Sequence, residues 1–114
     1  MKPDILRIAQ NDLKEIHEHL FEFGENPMRK FKASFVKFCS QVSDMPFMFN
    51  QYKYNNSKYR CAVIAFGYLV FYQVEEGSKK VKIYRVLHGK RNMAPLLYEE
   101  GDSDTAPVSP PATT

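Results

Sequence analysis

Three runs of β-forming residues in the second half of the chain constrain its fold more than any other feature. They cover Tyr59–Phe66, Tyr68–Val74 and Val81–Leu87. Their valines, isoleucines and aromatic residues favour strands. The polar sequence EEGSKK at 75–80 predicts a turn that joins the second and third runs as an antiparallel hairpin. The sequence therefore predicts a small antiparallel sheet.

The residues before the sheet predict one short strand and two helices. Ile5–Ile8 is a short apolar run that can form a first strand. Apolar residues at helical spacing then predict a first helix that ends at Gly24, and a second that starts at Asn26-Pro27 and ends by Pro46. The apolar residues that support these predictions are Leu13, Ile16, Leu20 and Phe23 for the first helix, and Met28, Phe31, Phe35, Phe38, Cys39 and Val42 for the second.

These elements together predict an α+β fold in two layers. The short link between the helices favours a helical hairpin, and packing it on one face of the sheet buries both apolar surfaces. We expect one domain over residues 1–98. Residues 99–114 are acidic, contain three prolines and hold one isolated valine, so we expect a disordered tail.

The charge of the chain is unevenly distributed. The net charge is +3, but residues 1–98 hold all 16 Lys and Arg residues and only 9 of the 13 acidic residues, a net of +7. A basic surface of this kind favours an anionic partner, whether nucleic acid, nucleoprotein or an acidic protein segment.

No apolar run is long enough to span a bilayer, and no signal-peptide core follows Met1, so we expect a cytoplasmic protein without a membrane partner. Cys39 and Cys61 are interpreted as buried free thiols. Neither has a second ligand at zinc spacing, and His17 and His19 do not share a helix face, so no metal site is predicted.

The third strand ends in His88-Gly89-Lys90-Arg91, which is the most attractive candidate site. An imidazole there can act as general acid or base, and the two cations can stabilise a phosphoryl transition state. The alternative is that His88 orients the turn through a hydrogen bond.

Other cations offer docking surfaces. If Val86 faces the core, Arg85 should face solvent, where it can grip a carboxylate or phosphate. The polar face of the second helix carries Arg29, Lys30, Lys32 and Lys37, which are either a solvated surface or a docking surface. The polar connection at 47–58 interleaves tyrosines with lysines, a pattern that either marks an exposed loop or stacks on bases.

The chain resembles the RelE/ParE superfamily of toxins from bacterial type II toxin–antitoxin systems. The resemblance covers residues 5–98 and rests on AQNDLKEIHEHL at 9–20, GYLVFYQV at 67–74 and KIYRVLHGKRN at 82–92. It implies the two-layer fold described above, no cofactor, and a cognate antitoxin that wraps an acidic segment over the toxin.

Resemblance to the RelE type implies ribosome-dependent cleavage of mRNA. Arg60 stands where that type keeps a catalytic lysine, Arg91 at its C-terminal arginine and Tyr98 near its terminal tyrosine, with His88 as a further proton-transfer group. A second lysine position is Ala62 here, however, and an arginine position is Leu69. The chain therefore has only part of the set of catalytic residues that the RelE type uses.

Resemblance to the ParE type is carried by Val86-Leu87-His88-Gly89-x-Arg91-Asn92, with Asn92 in place of an aspartate. This type implies a toxin that poisons DNA gyrase and is not a nuclease, and we favour it. Its docking contacts would come from the exposed cations Arg29, Lys30, Lys37, Arg85, Lys90 and Arg91. A third interpretation is a basic binding module that is no longer toxic.

Overall fold

A computed structural model describes residues 1–52 and 58–90, which form two helices packed on a four-stranded sheet. This confirms the predicted α+β class. The sequence signals at 91–98 and the predicted tail at 99–114 lie outside the described residues. In chain order the elements are β1 (Lys2–Ile5), α1 (Arg7–Phe21), α2 (Glu25–Asp44), β2 (Arg60–Val63), a 3₁₀ turn (Ala65–Gly67), β3 (Tyr68–Glu75) and β4 (Lys80–His88).

The sheet has the strand order β1-β4-β3-β2 and is mixed rather than wholly antiparallel. The β3–β4 and β2–β3 pairs are antiparallel, as predicted. β1 pairs with β4 in parallel. The chain leaves this edge through α1 and α2 and returns at the other edge, which is why β1 and β4 can run in the same direction.

The first strand and helix begin earlier than the sequence predicts. Ile5–Ile8 was expected as a strand, but the strand ends at Ile5 and α1 starts at Arg7. Leu6 donates its backbone N–H to the Ile83 carbonyl, and the Gln10 side chain donates to the Ile5 carbonyl. Pairing with β4 therefore fixes the end of the strand, which the local apolar pattern could not.

The helix boundaries lie close to their sequence signals but not at them: α1 ends at Phe21, before Gly24, and α2 starts at Glu25, before the predicted cap at Asn26. Gly24 has φ of 108°, a conformation that suits glycine, and it serves as the N-cap of α2. Pro27 lies in the first turn of α2, where its missing N–H costs nothing. The buried face of α2 contains four of the predicted core residues, Phe31, Phe35, Phe38 and Val42.

The core divides into two clusters on opposite faces of the sheet. The larger lies between the helices and the sheet, and its strand residues are Ala62, Tyr68, Val70, Tyr72, Val81, Ile83 and Val86. The smaller lies on the far face and contains Tyr59, Phe71 and Leu87, with Tyr52, Cys61, Leu69 and Tyr84 packed against them. We call the second group the far-face cluster.

A β-bulge interrupts the alternation of side chains along β4. Phe71 stands opposite Arg85, but Tyr72 stands opposite Ile83, so Tyr84 is an extra residue on β4. A strict period of two therefore does not apply across this point, and the prediction that Arg85 faces solvent rested on that period.

Candidate functional site

Arg85 is buried rather than exposed, and the prediction of an exposed docking arginine is wrong. Its side chain makes two hydrogen bonds with Asp12 of α1, Nε to Oδ2 at 2.8 Å and Nη2 to Oδ1 at 3.0 Å. The backbone N–H of Val86 donates to the same Oδ2 at 3.0 Å. Asp12 thus pairs with a buried cation and also accepts a hydrogen bond from a β4 backbone N–H that lies beyond the end of β1. Both contacts give Asp12 a structural role.

Sequence reasoning did not single out Asp12. A signal was present, because Asp12 occupies one position of the buried stripe of α1, between Ala9 and Ile16. A carboxylate at a core position needs a buried cation or several N–H donors. That rule points to Asp12, but not to its partner, which lies 73 residues away.

His88 joins the end of β4 to the turn that precedes β3. Its ring packs edge-on against Tyr68, with centroids 5.0 Å apart, and its Nδ1 accepts a hydrogen bond from the Lys90 backbone N–H at 3.2 Å. The next residue, Gly89, donates its N–H to the Gly67 carbonyl at 2.9 Å. A Cβ at position 89 would stand 3.1 Å from that carbonyl oxygen, a tight contact that would force the two segments apart by a few tenths of an ångström.

These contacts give the His-Gly pair of the sequence motif a structural explanation. We call the group of Gly67, Tyr68, His88, Gly89 and Lys90 the β4 clasp. The predicted role of His88 in orienting the turn is consistent with this geometry. Lys90 lies exposed at the end of the clasp, and the predicted partners Arg91 and Tyr98 lie outside the described residues.

A cleft of about 270 Å³ lies beside the clasp. Its walls carry two histidines, two carboxylates and apolar side chains. The lining residues are Asp12, Glu15, Ile16, His19, Tyr68, Val86, Leu87 and His88. Within residues 1–52 and 58–90, no group of three or more His, Cys, Asp or Glu side chains is arranged to hold a metal ion.

Arg60 lies on β2, an edge strand of the sheet, in a cationic environment separate from the β4 clasp. Its Nη1 donates to the Phe49 carbonyl at 2.7 Å, and its guanidinium carbon stands 4.9 Å from the centroid of the Phe47 ring. Arg60 pairs with Tyr72 on β3 and is therefore on the helix-facing side of the sheet. Burial raises the pKa of the Tyr72 hydroxyl, and the nearby Arg60 charge opposes that rise.

The structure does not bring Arg60 and His88 together. Arg60 pairs with Tyr72, whereas His88 pairs with Tyr68, four positions away on β3. Strand geometry puts the two Cα atoms about 13 Å apart along the strands and about 10 Å across them, so about 16 Å in all. The two side chains therefore line different clefts.

The two apolar residues at RelE-type cation positions lie on opposite faces of the sheet. Ala62 is buried against the helices, whereas Leu69 belongs to the far-face cluster. The rings of that cluster meet edge-on, with centroids 5.0 Å apart for Tyr52 and Phe71 and 5.1 Å for Tyr59 and Tyr84. The middle of the far face is therefore an aromatic layer.

The predicted docking cations on α2 are exposed. Arg29 forms an ion pair with Glu25 one turn earlier, at 3.2 Å. Lys30 and Lys37 lie on the solvent side of the helix, and no described carboxylate pairs with either. The polar face of α2 is thus available to a partner, although exposure alone does not distinguish a docking surface from a solvated one.

Both cysteines are free thiols and are half-buried. Burial raises the pKa of Cys39, and it raises the pKa of Cys61 to about 11. Thiols of this kind are poor nucleophiles at neutral pH because little thiolate forms. Neither helix of the described ranges combines the length and hydrophobicity needed to cross a membrane.

Residues 5–93 match the family described as "ParE toxin of type II toxin-antitoxin system, parDE". The match covers well over half of the chain. The chain belongs to the ParE toxin family. It is therefore a type II toxin of the RelE/ParE superfamily, which confirms the resemblance found in the sequence. No curated protein matches the chain.

Solved toxin–antitoxin structures share the fold of this ParE-family chain. A chain of the chromosomal ParDE system from P. aeruginosa has a TM-score of 0.59 and 18% identity, and the match covers 77% of this chain and 95% of that chain. A chain of the RelBE2 toxin–antitoxin complex from Mycobacterium tuberculosis has a TM-score of 0.55 and 18% identity, with coverages of 76% and 95%. A chain of the intact E. coli RelBE complex has a TM-score of 0.54 and 16% identity, and the match covers 79% of this chain and 98% of that chain. At these identities the similarity establishes a common fold, not a common target.

Proposed function

We propose that this toxin arrests bacterial growth in the cytoplasm by poisoning DNA gyrase, and that a cognate antitoxin neutralises it. In this proposal it is a binding toxin and not an enzyme. The observation that carries the choice of target is the separation of Arg60 from His88, because a nuclease needs its cations and its proton-transfer groups around one phosphate.

The chemistry of the described sheet supports the same choice. Removing one well-placed charge-stabilising group from an active site costs about 3–4 kcal/mol of transition-state stabilisation. Ala62 and Leu69 supply no charge at two positions where a RelE-type nuclease has cations. The β4 clasp also occupies Nδ1 of His88 with a backbone hydrogen bond, which supports a role in holding β4 in place.

The antitoxin is proposed from the family and from charge. The ParDE and RelBE structures with the same fold are toxin–antitoxin systems or complexes. The net charge of +7 on residues 1–98 suits an acidic antitoxin segment, which would lie over the helices and the sheet. Lys30 and Lys37 of α2, Lys90 beside the clasp, and Arg91 are the proposed contacts.

The alternative function is ribosome-dependent cleavage of mRNA, with Arg60, His88, Arg91 and Tyr98 in the roles that the RelE type implies. It requires Arg60 and His88 to reach one phosphate, although the two side chains line different clefts. A purified-component test separates the two functions. Gyrase and relaxed plasmid are assayed for supercoiling and for trapped cleaved DNA, and programmed ribosomes are assayed for cut mRNA.

We expect the wild-type chain to inhibit supercoiling and to trap cleaved DNA while mRNA on ribosomes stays intact. His88→Ala should retain this activity at temperatures at which it is folded, because His88 is structural. Asp12→Ala, which disrupts the core ion pair, serves as the inactive control. Cut mRNA that disappears with His88→Ala would establish the nuclease instead, and a chain that is inactive in both assays would be a binding module.

A further inference from the structure

We propose that a cleft at the β2 edge of the sheet binds an acidic segment of a partner protein, with a carboxylate on Arg60 and Lys58 and an apolar side chain against Phe47. The cleft has a volume of about 320 Å³. We call it the Arg60 cleft. Its lining residues are Phe47, Gln51, Lys58, Arg60, Gln73 and Val74.

The guanidinium of Arg60 is held in place before any partner arrives. The 2.7 Å hydrogen bond to the Phe49 carbonyl fixes one N–H edge, and the Phe47 ring packs against the guanidinium group 4.9 Å away. A planar guanidinium fixed in this way loses little side-chain entropy when it binds a carboxylate. Its remaining N–H groups are available for a two-point contact.

The cations of this cleft have no described carboxylate partner, in contrast to two cations of β4. Lys82 pairs with Glu75 at 3.2 Å, and Arg85 pairs with Asp12 at 2.8 Å. Within residues 1–52 and 58–90, no ion pair reaches Lys58 or Arg60. Two neighbouring positive charges without a carboxylate attract an anionic group from another molecule.

The apolar surroundings favour a protein over a nucleic acid. Three large apolar side chains stand exposed in the segment that leads into the cleft, Met45 at 61%, Phe47 at 48% and Met48 at 42%. Exposed aromatic and methionine side chains beside a fixed arginine are typical of the centre of a protein interface. A phosphate backbone would leave these apolar side chains exposed, and it would need more cations along its path.

The proposed occupant is therefore an extended acidic segment in which a carboxylate side chain lies next to an apolar one. The carboxylate would bridge Arg60 and Lys58, and the apolar side chain would cover Phe47 and Met48. This site is distinct from the lysines of α2 and from the β4 clasp. It does not depend on which cellular target the toxin poisons.

The test measures binding of labelled peptides to the full-length chain by fluorescence anisotropy. The probe is a short peptide of alternating leucine and glutamate, and the matched probe has glutamine in place of glutamate. A short single-stranded DNA is the third probe. We expect a Kd in the range of about 1–100 μM for the Leu/Glu peptide and binding at least about tenfold weaker for the Leu/Gln peptide.

Three variants and one control locate the site. Lys58→Gln and Phe47→Ser change exposed side chains, so both should fold as the wild type does, and each should weaken peptide binding about threefold or more. Arg60→Gln should weaken it by about tenfold. Lys14→Gln removes the same charge from the exposed side of α1 and should change the Kd by less than about twofold. In ¹H–¹⁵N spectra, the Nε–Hε signal of Arg60 should shift during the titration.

Four results would overturn the proposal. These are no binding of the Leu/Glu peptide up to about 1 mM, equal binding of the Leu/Gln peptide, and equal losses for Lys14→Gln and Lys58→Gln. The fourth is tighter binding of the DNA, with competition against the peptide, which would make this a nucleic-acid site. A failure in the gyrase assay does not affect any of these measurements.

Discussion

At the residue scale, Asp12 accounts for the largest difference between the sequence-based site and the structure. Three hydrogen bonds converge on its carboxylate, two from Arg85 and one from the Val86 backbone. A buried pair of this kind contributes little net stability compared with an apolar pair of similar volume, but removing one partner leaves an uncompensated charge. Arg85 therefore serves the fold and is not a proposed contact.

Asp12→Ala should lower the free energy of unfolding by about 3–5 kcal/mol, because Arg85 remains buried without its acceptor. The double variant Asp12→Leu with Arg85→Met should lower the free energy of unfolding by a smaller amount, because it leaves no buried charge. Urea denaturation measures both. The control is Glu25→Ala, which breaks the exposed pair with Arg29 and should cost no more than about 0.5 kcal/mol. Equal losses for Asp12→Ala and Glu25→Ala would show that the Asp12–Arg85 pair is not buried in solution.

Cys61 gives a pH dependence with a defined sign. Its pKa rises from 9.0 to about 11 in the folded chain because the thiol is buried. The unfolded chain therefore loses this proton first, and the stability that the protonated thiol contributes is complete below pH 9.0 and is lost as the pH rises to about 11. Urea denaturation at a series of pH values measures the free energy of unfolding. Cys61→Ala should lack this part of its decline with pH.

Alkylation provides a second measurement of the same thiol. In a Cys39→Ser background, the rate of native-state alkylation should keep rising toward pH 11. A rate that levels off by pH 9.0 would contradict a raised pKa for Cys61.

At the element scale, the turns and the bulge decide how the strands are placed. The turn between β3 and β4 follows the local sequence. The β4 clasp instead requires two distant segments to meet, the turn at Gly67 and the end of β4 at Gly89. The bulge at Tyr84 changes which side chains of β4 reach the core.

A glycine series tests these elements. Gly77 has open space around the position of a Cβ and no positive φ, so Gly77→Ala should raise the free energy of unfolding by about 0.4–1 kcal/mol, because it restricts the unfolded chain. Gly89→Ala should lower it by about 1 kcal/mol or more, since the new Cβ would stand 3.1 Å from the Gly67 carbonyl oxygen. Thermal unfolding measures both, and a neutral Gly89→Ala would argue against the clasp.

At the scale of the whole molecule, charge and the two-layer core set what the toxin can bind. The helices cover one face of the sheet and the far-face cluster fills the middle of the other. The exposed cations of the described residues therefore lie on the two helices and at the edges and turns of the sheet. An interaction surface at the edges suits a partner that wraps around the toxin.

The boundary between the domain and the acidic tail stays a prediction. A chain of residues 1–98 should unfold within a few degrees of the full-length chain, since residues 99–114 lack the apolar content to add to a core. Differential scanning calorimetry measures this. A large drop in Tm on truncation would show that the tail belongs to the folded unit. The truncated chain should also elute later from a cation exchanger, because its net charge rises from +3 to +7.

The sequence by itself determined the elements whose signals are local, and the family. The stripe of Phe31, Phe35, Phe38 and Val42 specifies one face of α2, and the polar turn at 75–80 specifies a hairpin, because both depend on residues that are neighbours along the chain. The motif around His88 identified the superfamily for the same reason.

Only the tertiary structure decided where the candidate site residues lie relative to one another. The parallel pairing of β1 with β4 and the burial of Arg85 depend on contacts between segments more than 70 residues apart, as in the hydrogen bond from Arg85 to Asp12. The separation of Arg60 from His88 depends on strand register. A bulge or a long-range ion pair changes the orientation of a side chain without leaving a periodic signal, so the pattern of residues along the chain could not predict these features.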